Sequence, residues 1–128
     1  MASQPRRDVA DLLRRVYAAF NRRDIDAALA TAHADVDWPN VLDGVRLHGR
    51  AQVRAYWARQ FATFDPRVEP SAMSADEDER ISVDVHQVTR SLDGTVLSDI
   101  TVKHVYTLRD GLIARMDVLP AAGAGPHR

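Results

Sequence analysis

The chain has 128 residues, 45% of them apolar and 27% charged, which is typical of one ordinary globular domain. The formal net charge of −1 provides no basic field for nucleic acid or an anionic membrane. The chain contains no cysteine and no apolar run near the ~20 residues of a membrane helix. Disulfides, thiolate metal sites and membrane spans are therefore excluded, and we expect a cytoplasmic protein without a nucleic-acid or membrane partner.

The first predicted element is an amphipathic helix behind a short polar N-terminus. Residues 1–7 are polar and contain a proline, so we expect them to be disordered. From Asp8 to Phe20 the apolar residues recur with the helical period. Asp24 is a candidate N-cap for a second helix over residues 25–33, so the first two helices are predicted to form a hairpin.

The next segment combines a short strand, a turn and a third helix. Residues 36–38 resemble a strand, which we expect Pro39 to end. A turn over residues 42–45 leads to a helix predicted over residues 50–63. Asp65-Pro66 is expected to end this helix, because a residue before proline avoids helical dihedral angles.

The C-terminal part of the chain has the period of β-strands. Residues 67–74 are a candidate strand, which Pro70 confines to a sheet edge. Apolar and polar residues then alternate up to residue 119, interrupted by Asp-Gly turns at 93–94 and 110–111. This pattern predicts three antiparallel strands joined by two tight hairpins.

These elements predict an α+β fold, namely a cone-shaped α+β barrel. Three N-terminal helices would pack on a strongly curved, mostly antiparallel sheet. We assign residues 8–119 to this single domain and expect the tail, residues 120–128, to be disordered because its residues are small. The space between helices and sheet would be lined by aromatic residues, namely Tyr17, Phe20, Trp38, Tyr56, Trp57, Phe61 and Tyr106.

His104 is the main candidate for chemistry, because a titratable ring lies on an apolar strand face between Val102 and Tyr106. A core histidine satisfied by one hydrogen bond is the alternative interpretation. Gln87 shares the strand parity of Val85, and it either projects into the cone or lies at an exposed edge. The five histidines lack the spacing of a metal site, so we expect neither a metal nor a cofactor.

The opposite face of the long strands is predicted to be charged. It would carry Asp84, His86, Asp99, Lys103, Arg115 and Asp117. A solvated or dimer-buried ladder of charges is favoured over a catalytic role. Because Val88, Thr101 and Val105 lie among these charges, we predict a homodimer through this outer face.

Four segments, 17–29, 34–38, 47–53 and 109–113, carry a resemblance to a known family in their order and spacing. The chain resembles, over roughly residues 8–119, the SnoaL-like branch of the nuclear transport factor 2-like superfamily. The resemblance implies the same α+β cone, commonly dimeric through the outer sheet face. Members include ketosteroid isomerase, limonene-epoxide hydrolase, scytalone dehydratase and polyketide cyclases, so the shared fold does not by itself assign a function.

The resemblance implies that the catalytic positions of ketosteroid isomerase are only partly kept. The general-base aspartate falls on Asn40, an amide that cannot take up a proton at pH 7. The oxyanion tyrosine falls on Val16, and Tyr17 lies one residue further, ~100° around the helix. The position of the isomerase's protonated aspartate depends on the alignment. It falls on His104 if an alignment gap is placed in the shorter hairpin, and on Lys103 if no gap is used. Strand parity favours His104.

Two other members offer weaker comparisons. The hydrolase needs an Asp-Arg-Asp triad, and Asp117 lies near its last-strand aspartate, but parity directs Asp117 outward and no partner pair is apparent. The dehydratase uses strand histidines, which invites comparison with His86 and His104. Without a β-bulge, however, parity places His86 on the outer face.

Two classes of function follow. The first is a cofactor-independent isomerase, dehydratase or cyclase for a small hydrophobic molecule, with His104 as acid/base and Asn40 and Tyr56 as orienting groups. The second is a non-catalytic dimeric module that binds a small ligand or a partner. In either class, the expected ligand-binding residues are Val16, Tyr17, Phe20, Trp38, Tyr56, Trp57, Phe61, Val83, Val85, Gln87, Val102, Tyr106, Met116 and Val118.

Overall fold

The computed structural model describes residues 3–41, 43–76 and 80–120. Within these ranges the chain forms α1 (Arg7–Asn21), α2 (Ile25–Leu29), β1 (Ala32–Asn40), β2 (Val45–His48), α3 (Arg50–Thr63), β3 (Phe64–Ala75), β4 (Ile81–Ser91), β5 (Val96–Arg109) and β6 (Leu112–Pro120). The strands form one sheet in the order β2-β1-β6-β5-β4-β3. All neighbours are antiparallel except β1 and β6. The predicted α+β class, with three helices on a curved and mostly antiparallel sheet, is confirmed.

Helix α1 is amphipathic as its period predicts, and it packs beside the edge strand β3. Leu13, Val16 and Tyr17 are buried on its inner side. At its end, Asn21 Nδ2 donates to the Val68 carbonyl at 2.7 Å, and the Val68 N–H donates to Asn21 Oδ1 at 2.9 Å. One amide thus replaces a backbone pairing partner on an edge strand and fixes α1 against the sheet.

Helix α2 is shorter than predicted, although its N-cap is correct. The Asp24 side chain accepts a hydrogen bond from the Ala27 N–H at 3.1 Å. The helix ends at Leu29 rather than near His33. The reason is tertiary: the next residues join β6, where the Ile113 N–H donates to the Thr31 carbonyl at 2.8 Å.

The region after α2 contains more strand than the sequence analysis predicts. Strand β1 runs through Pro39 to Asn40, because a proline removes one donor but keeps its carbonyl. Residues expected to lead out of a turn form β2, in which Arg46 pairs with Pro39. Helix α3 ends at Thr63 as predicted, but β3 begins directly afterwards instead of near residue 67. Strand β3 lies at the sheet edge, as its prolines indicate.

The two hairpins form at the predicted Asp-Gly pairs. Asp110 and Gly111 have φ angles of 56° and 77°, the left-handed pair that a two-residue hairpin requires. Gly94 in the first hairpin has φ of 96°. Local sequence chemistry therefore determines both turns.

The chain ends differ from the domain limits expected from sequence. Ser3 pairs with Ala75 through two backbone hydrogen bonds of 2.8 and 2.6 Å, and α1 begins at Arg7, inside the segment expected to be disordered. Pro120, expected to belong to a disordered tail, pairs with Val102. The rest of that tail, residues 121–128, lies outside the described residues. Among the described residues, no helix has the length and apolar character needed to cross a membrane.

Candidate functional site

Three polar rings meet inside the cone. Tyr17 comes from α1, and His104 and Tyr106 come from β5. The Tyr17 hydroxyl oxygen lies 2.9 Å from His104 Nδ1 and 2.7 Å from the Tyr106 hydroxyl oxygen. The exposed fractions of Tyr17, His104 and Tyr106 are 4%, 7% and 1%. These contacts form a buried hydrogen-bonded chain, called the Tyr-His-Tyr chain below. Along the sequence, His104 is 87 positions and Tyr106 is 89 positions from Tyr17.

Two periodicities bring these rings together. Tyr17 lies one turn after the fully buried Leu13 on the inner stripe of α1. His104 and Tyr106 are two residues apart on β5, so they share the inner face of the sheet. The strand register places Val83 on one side of His104 and Val118 on the other. Tyr17 reaches the ring of His104 despite its offset from Val16, because the buried stripe of this helix includes both residues.

With Tyr106 as the donor to Tyr17, the hydrogen bonds select one tautomer of His104. The Tyr106 hydroxyl donates to the Tyr17 oxygen. The proton of Tyr17 is then directed at His104 Nδ1, its other hydrogen-bond partner in the described part of the chain. Nδ1 is therefore an acceptor, and the single N–H of the neutral imidazole lies on Nε2. The Tyr-His-Tyr chain thus makes Nε2 a hydrogen-bond donor.

Burial keeps all three rings neutral at pH 7. It lowers the pKa of His104 from 6.5 to about 4, because the charged imidazolium loses its hydration. Burial also raises the pKa of Tyr17, helped by the nearby Tyr106 hydroxyl, and it raises the pKa of Tyr106. His104 is therefore neutral at pH 7, with its Nδ1 within hydrogen-bond distance of Tyr17. The site offers neutral hydrogen bonds rather than charge.

His104 lies where the packed core ends. Along the inner face of β5 the exposed fraction rises from 1% at Tyr106 to 7% at His104 and 47% at Ile100, with Val102 half-buried between the last two. No fully buried side-chain nitrogen or oxygen in the described ranges lacks a hydrogen-bond partner. Nε2 has no partner among the described contacts, so it must keep access to solvent. We call the inner surface formed by Gln87, Ile100, Val102 and Val118 the open end of the cone.

The other end of the cone is filled by aromatic side chains. The rings of Trp38 and Trp57 are 5.3 Å apart and nearly perpendicular. The Phe20 ring lies 5.9 Å from that of Trp57 and 4.9 Å from that of Phe61. Edge-to-face contacts of this kind are typical of a packed core, so these residues support the cone rather than line a space within it.

The predicted ligand-binding residues share the inner side but differ in burial. The buried ones are Val16, Tyr17, Trp38, Tyr56, Trp57, Val83, Val85, Tyr106 and Met116. The half-buried ones are Phe20, Phe61, Gln87, Val102 and Val118. Only the last three belong to the open end, where a ligand would meet Nε2.

Asn40 makes its hydrogen bonds within the turn that follows β1. Its Nδ2 donates to Asp43 Oδ2 at 3.0 Å, and its Oδ1 accepts from the Asp43 N–H at 3.0 Å. The Asn40 carbonyl also accepts from the Gly44 N–H at 2.9 Å. Asn40 therefore closes the β1–β2 turn, the role that asparagine commonly has in turns.

The outer face carries ion pairs, and two of their members, Asp37 and Arg46, were not predicted from the sequence. Arg46 Nε lies 2.6 Å from Asp37 Oδ1, and its Nη1 lies 3.2 Å from Asp117 Oδ1. Arg115 joins the same two carboxylates at 3.0 Å each. The hydrogen bond from Arg115 is the main reason that the pKa of Asp117 is lowered. The sequence did not indicate these contacts of Arg46, because β2 was not predicted. Only the pairing of β2 with β1 places Arg46 beside Asp37.

These contacts weaken the comparisons with two family members. Asp117 faces outward and is engaged by both arginines, so it is not available for a hydrolase triad inside the cone. His86 is exposed on the same face, with Nε2 2.6 Å from Asp99 Oδ1, so the dehydratase comparison keeps only one inner histidine. In the described part of the chain, no group of three or more potential metal ligands is present.

Three helices on a curved, mostly antiparallel sheet are the architecture of the nuclear transport factor 2-like class. The chain belongs to the SnoaL-like domain family, whose model matches residues 13–116. No protein of curated function matches the chain.

Several solved structures share the fold. TerC, crystallised with polyporic acid, is 27% identical, with a TM-score of 0.77 over 91% of this chain and 94% of TerC. A candidate polyketide cyclase from Xanthomonas campestris pv. campestris is 25% identical, with a TM-score of 0.74 over 88% and 90% of the two chains. A candidate ketosteroid isomerase from Kribbella flavida is 20% identical, with a TM-score of 0.70 over 94% of this chain and 84% of the other, and it shares the fold alone.

Proposed function

We propose that this protein binds a small hydrophobic molecule with a carbonyl, enol or phenol oxygen at the open end of the cone. His104 Nε2–H donates a hydrogen bond to that oxygen. The proposal rests on one observation: a buried chain of hydrogen bonds fixes His104 as a donor at the boundary between the packed core and the open end. The crystallisation of TerC with polyporic acid supports a small organic ligand for this fold.

The surroundings of Nε2 suit such a ligand. Val102 and Val118 are half-buried aliphatic residues beside His104, and Gln87 adds one amide on the same inner face. Ligand sites are commonly apolar surfaces with a few oriented polar groups, and this arrangement has that character. Both tyrosines remain protonated at pH 7, so the donor is preorganised without a charge that binding must desolvate.

The neutral hydrogen-bond donors of the Tyr-His-Tyr chain also support one kind of catalytic role. They stabilise negative charge that develops on the ligand's oxygen, as in a cofactor-independent isomerisation, dehydration or ring closure. Abstraction of a proton is less well supported, because Asn40 is an amide engaged in a turn and the pKa of His104 is about 4. This same observation favours the second candidate function, a non-catalytic binding module.

A pair of probes tests the hydrogen bond. 2-Naphthol and naphthalene have the same ring system, and only 2-naphthol carries the oxygen. We expect the wild-type protein to bind 2-naphthol about fivefold more tightly in a fluorescence titration, since one hydrogen bond contributes roughly 1 kcal/mol. His104→Leu should remove this preference, and His86→Leu on the outer face should retain it. Equal preference in the wild type and His104→Leu would overturn the proposal.

We further propose that the functional unit is a homodimer through the outer sheet face. This face contains a depression of about 580 Å³ whose lining includes Val105 and Leu119 beside Arg46 and Asp117. Leu119 is 47% exposed. An apolar floor bounded by charges of both signs is suited to a two-fold contact, because each copy presents both partners of every pair.

A further inference from the structure

We propose that the groove between α1 and β3 is a second binding site, one that takes a small organic carboxylate. The groove has a volume of about 420 Å³, within the ~300–1,000 Å³ of typical ligand pockets. Arg14 lines it from α1, Arg22 from the residue that caps α1, and Arg67 from β3. The groove is separate from the open end of the cone, so this inference goes beyond the function proposed above.

Hydrogen bonds between α1 and β3 hold the two walls of the groove together. Arg14 and Ala18 are four residues apart and therefore lie on one face of α1, and Arg22 follows at the C-terminal cap of this helix. Asn21, in the same lining, makes two hydrogen bonds to the backbone of Val68 on β3, at 2.7 and 2.9 Å. These bonds set the separation of helix and strand, so the groove does not depend on a ligand for its shape.

The guanidinium groups of the lining provide hydrogen-bond donors for an anion. The lining carries three arginines and Glu69, and Asp11 and Asp24 lie beside it, so the local charges balance. Each arginine has one carboxylate neighbour: Arg14 Nη1 lies 3.2 Å from Asp11, Arg22 Nη2 lies 3.6 Å from Asp24, and Arg67 Nε lies 2.8 Å from Glu69. A guanidinium has five N–H donors, so these pairs orient the groups and leave donors for a further carboxylate.

The remaining lining selects an organic ligand over a bare inorganic anion. Ala18 and Pro70 provide apolar surface beside the guanidinium groups. Tyr17 also belongs to the lining, although it is only 4% exposed and its hydroxyl is hydrogen-bonded to His104 and Tyr106. A ligand with a small ring and one carboxylate matches both features. Glu69 disfavours a second negative charge.

Benzoate and its neutral isostere benzamide test this inference by amide NMR titration. We expect saturable shifts at Ala18 and Asn21 with benzoate and not with benzamide. Arg67→Gln and Arg22→Gln should each weaken benzoate binding about fivefold, with a loss of affinity at high salt. Arg15→Gln, on the same helix but outside the groove lining, should bind as the wild type does.

Three results would overturn the inference: equal shifts with benzamide, equal weakening in Arg15→Gln, or displacement of benzoate by equimolar inorganic phosphate. His104→Leu separates the two sites. It should abolish the preference for 2-naphthol and leave benzoate binding unchanged. Each proposal can therefore fail without the other.

Discussion

Acidification should destabilise the protein through His104. In the unfolded chain a histidine takes up its proton near pH 6.5, whereas in the folded protein burial lowers the pKa of His104 to about 4. Between these values the unfolded state binds more protons than the folded state. The free energy of unfolding therefore falls as the pH decreases through this window. The full shift corresponds to about 3 kcal/mol, of which about 2.5 kcal/mol is lost between about pH 7.5 and about pH 4.5.

Urea denaturation of the wild type and His104→Gln across this range measures the effect. Glutamine still accepts a hydrogen bond from Tyr17, so the variant should fold, and it cannot titrate. The two profiles share every other ionisable group. The unfolding free energy of the wild type minus that of His104→Gln should therefore decrease by about 2.5 kcal/mol between about pH 7.5 and about pH 4.5. His48→Gln, which removes an exposed histidine, is the control and should follow the wild type.

Parallel pH profiles for the wild type and His104→Gln would refute this reasoning. They would mean that the His104 ring is hydrated in the folded protein, and that the hydrogen bond from Tyr17 does not exclude water from it. A second variant checks the hydrogen bond itself. His104→Leu leaves the buried Tyr17 hydroxyl proton without an acceptor, and the expected cost at neutral pH is about 1–3 kcal/mol.

Three further predictions concern the turn, the outer face and its ion pairs. The wild type should isomerise an unsaturated ketosteroid no faster than Asn40→Ala in a spectrophotometric assay, because the Asn40 amide cannot accept the proton; clear wild-type turnover above that variant contradicts this. Light scattering at micromolar concentration should give the mass of a dimer, and Val105→Asp should give a monomer; a wild-type monomer would exclude the proposed interface. Arg46→Met should lower the unfolding free energy in urea by about 2 kcal/mol, since Arg46 contacts two carboxylates and two backbone carbonyls and is 30% exposed. Arg115→Met, 47% exposed, should cost less than about 1 kcal/mol, and the reverse order would contradict the assigned contacts.

The sequence by itself determined the features that depend on short-range chemistry. The 3.6-residue period predicts α1, and the limits of α3 agree with the predicted range. The Asp-Gly pairs predict both hairpins, because only a few residues adopt left-handed dihedral angles easily. Strand parity places His104 inward and His86 outward. Each of these inferences needs only neighbouring residues.

Only the tertiary structure decided what surrounds those residues. The early end of α2 and the presence of β2 depend on partners in β6 and β1, which no local pattern reveals. Asn40 occupies a family position associated with a base, but its contacts lie in the turn that it closes. The Tyr-His-Tyr chain joins a helix to a strand across more than half of the sequence. Its tautomer and the low pKa of His104 arise from burial and contact geometry, and both exist only once helix and sheet have packed together.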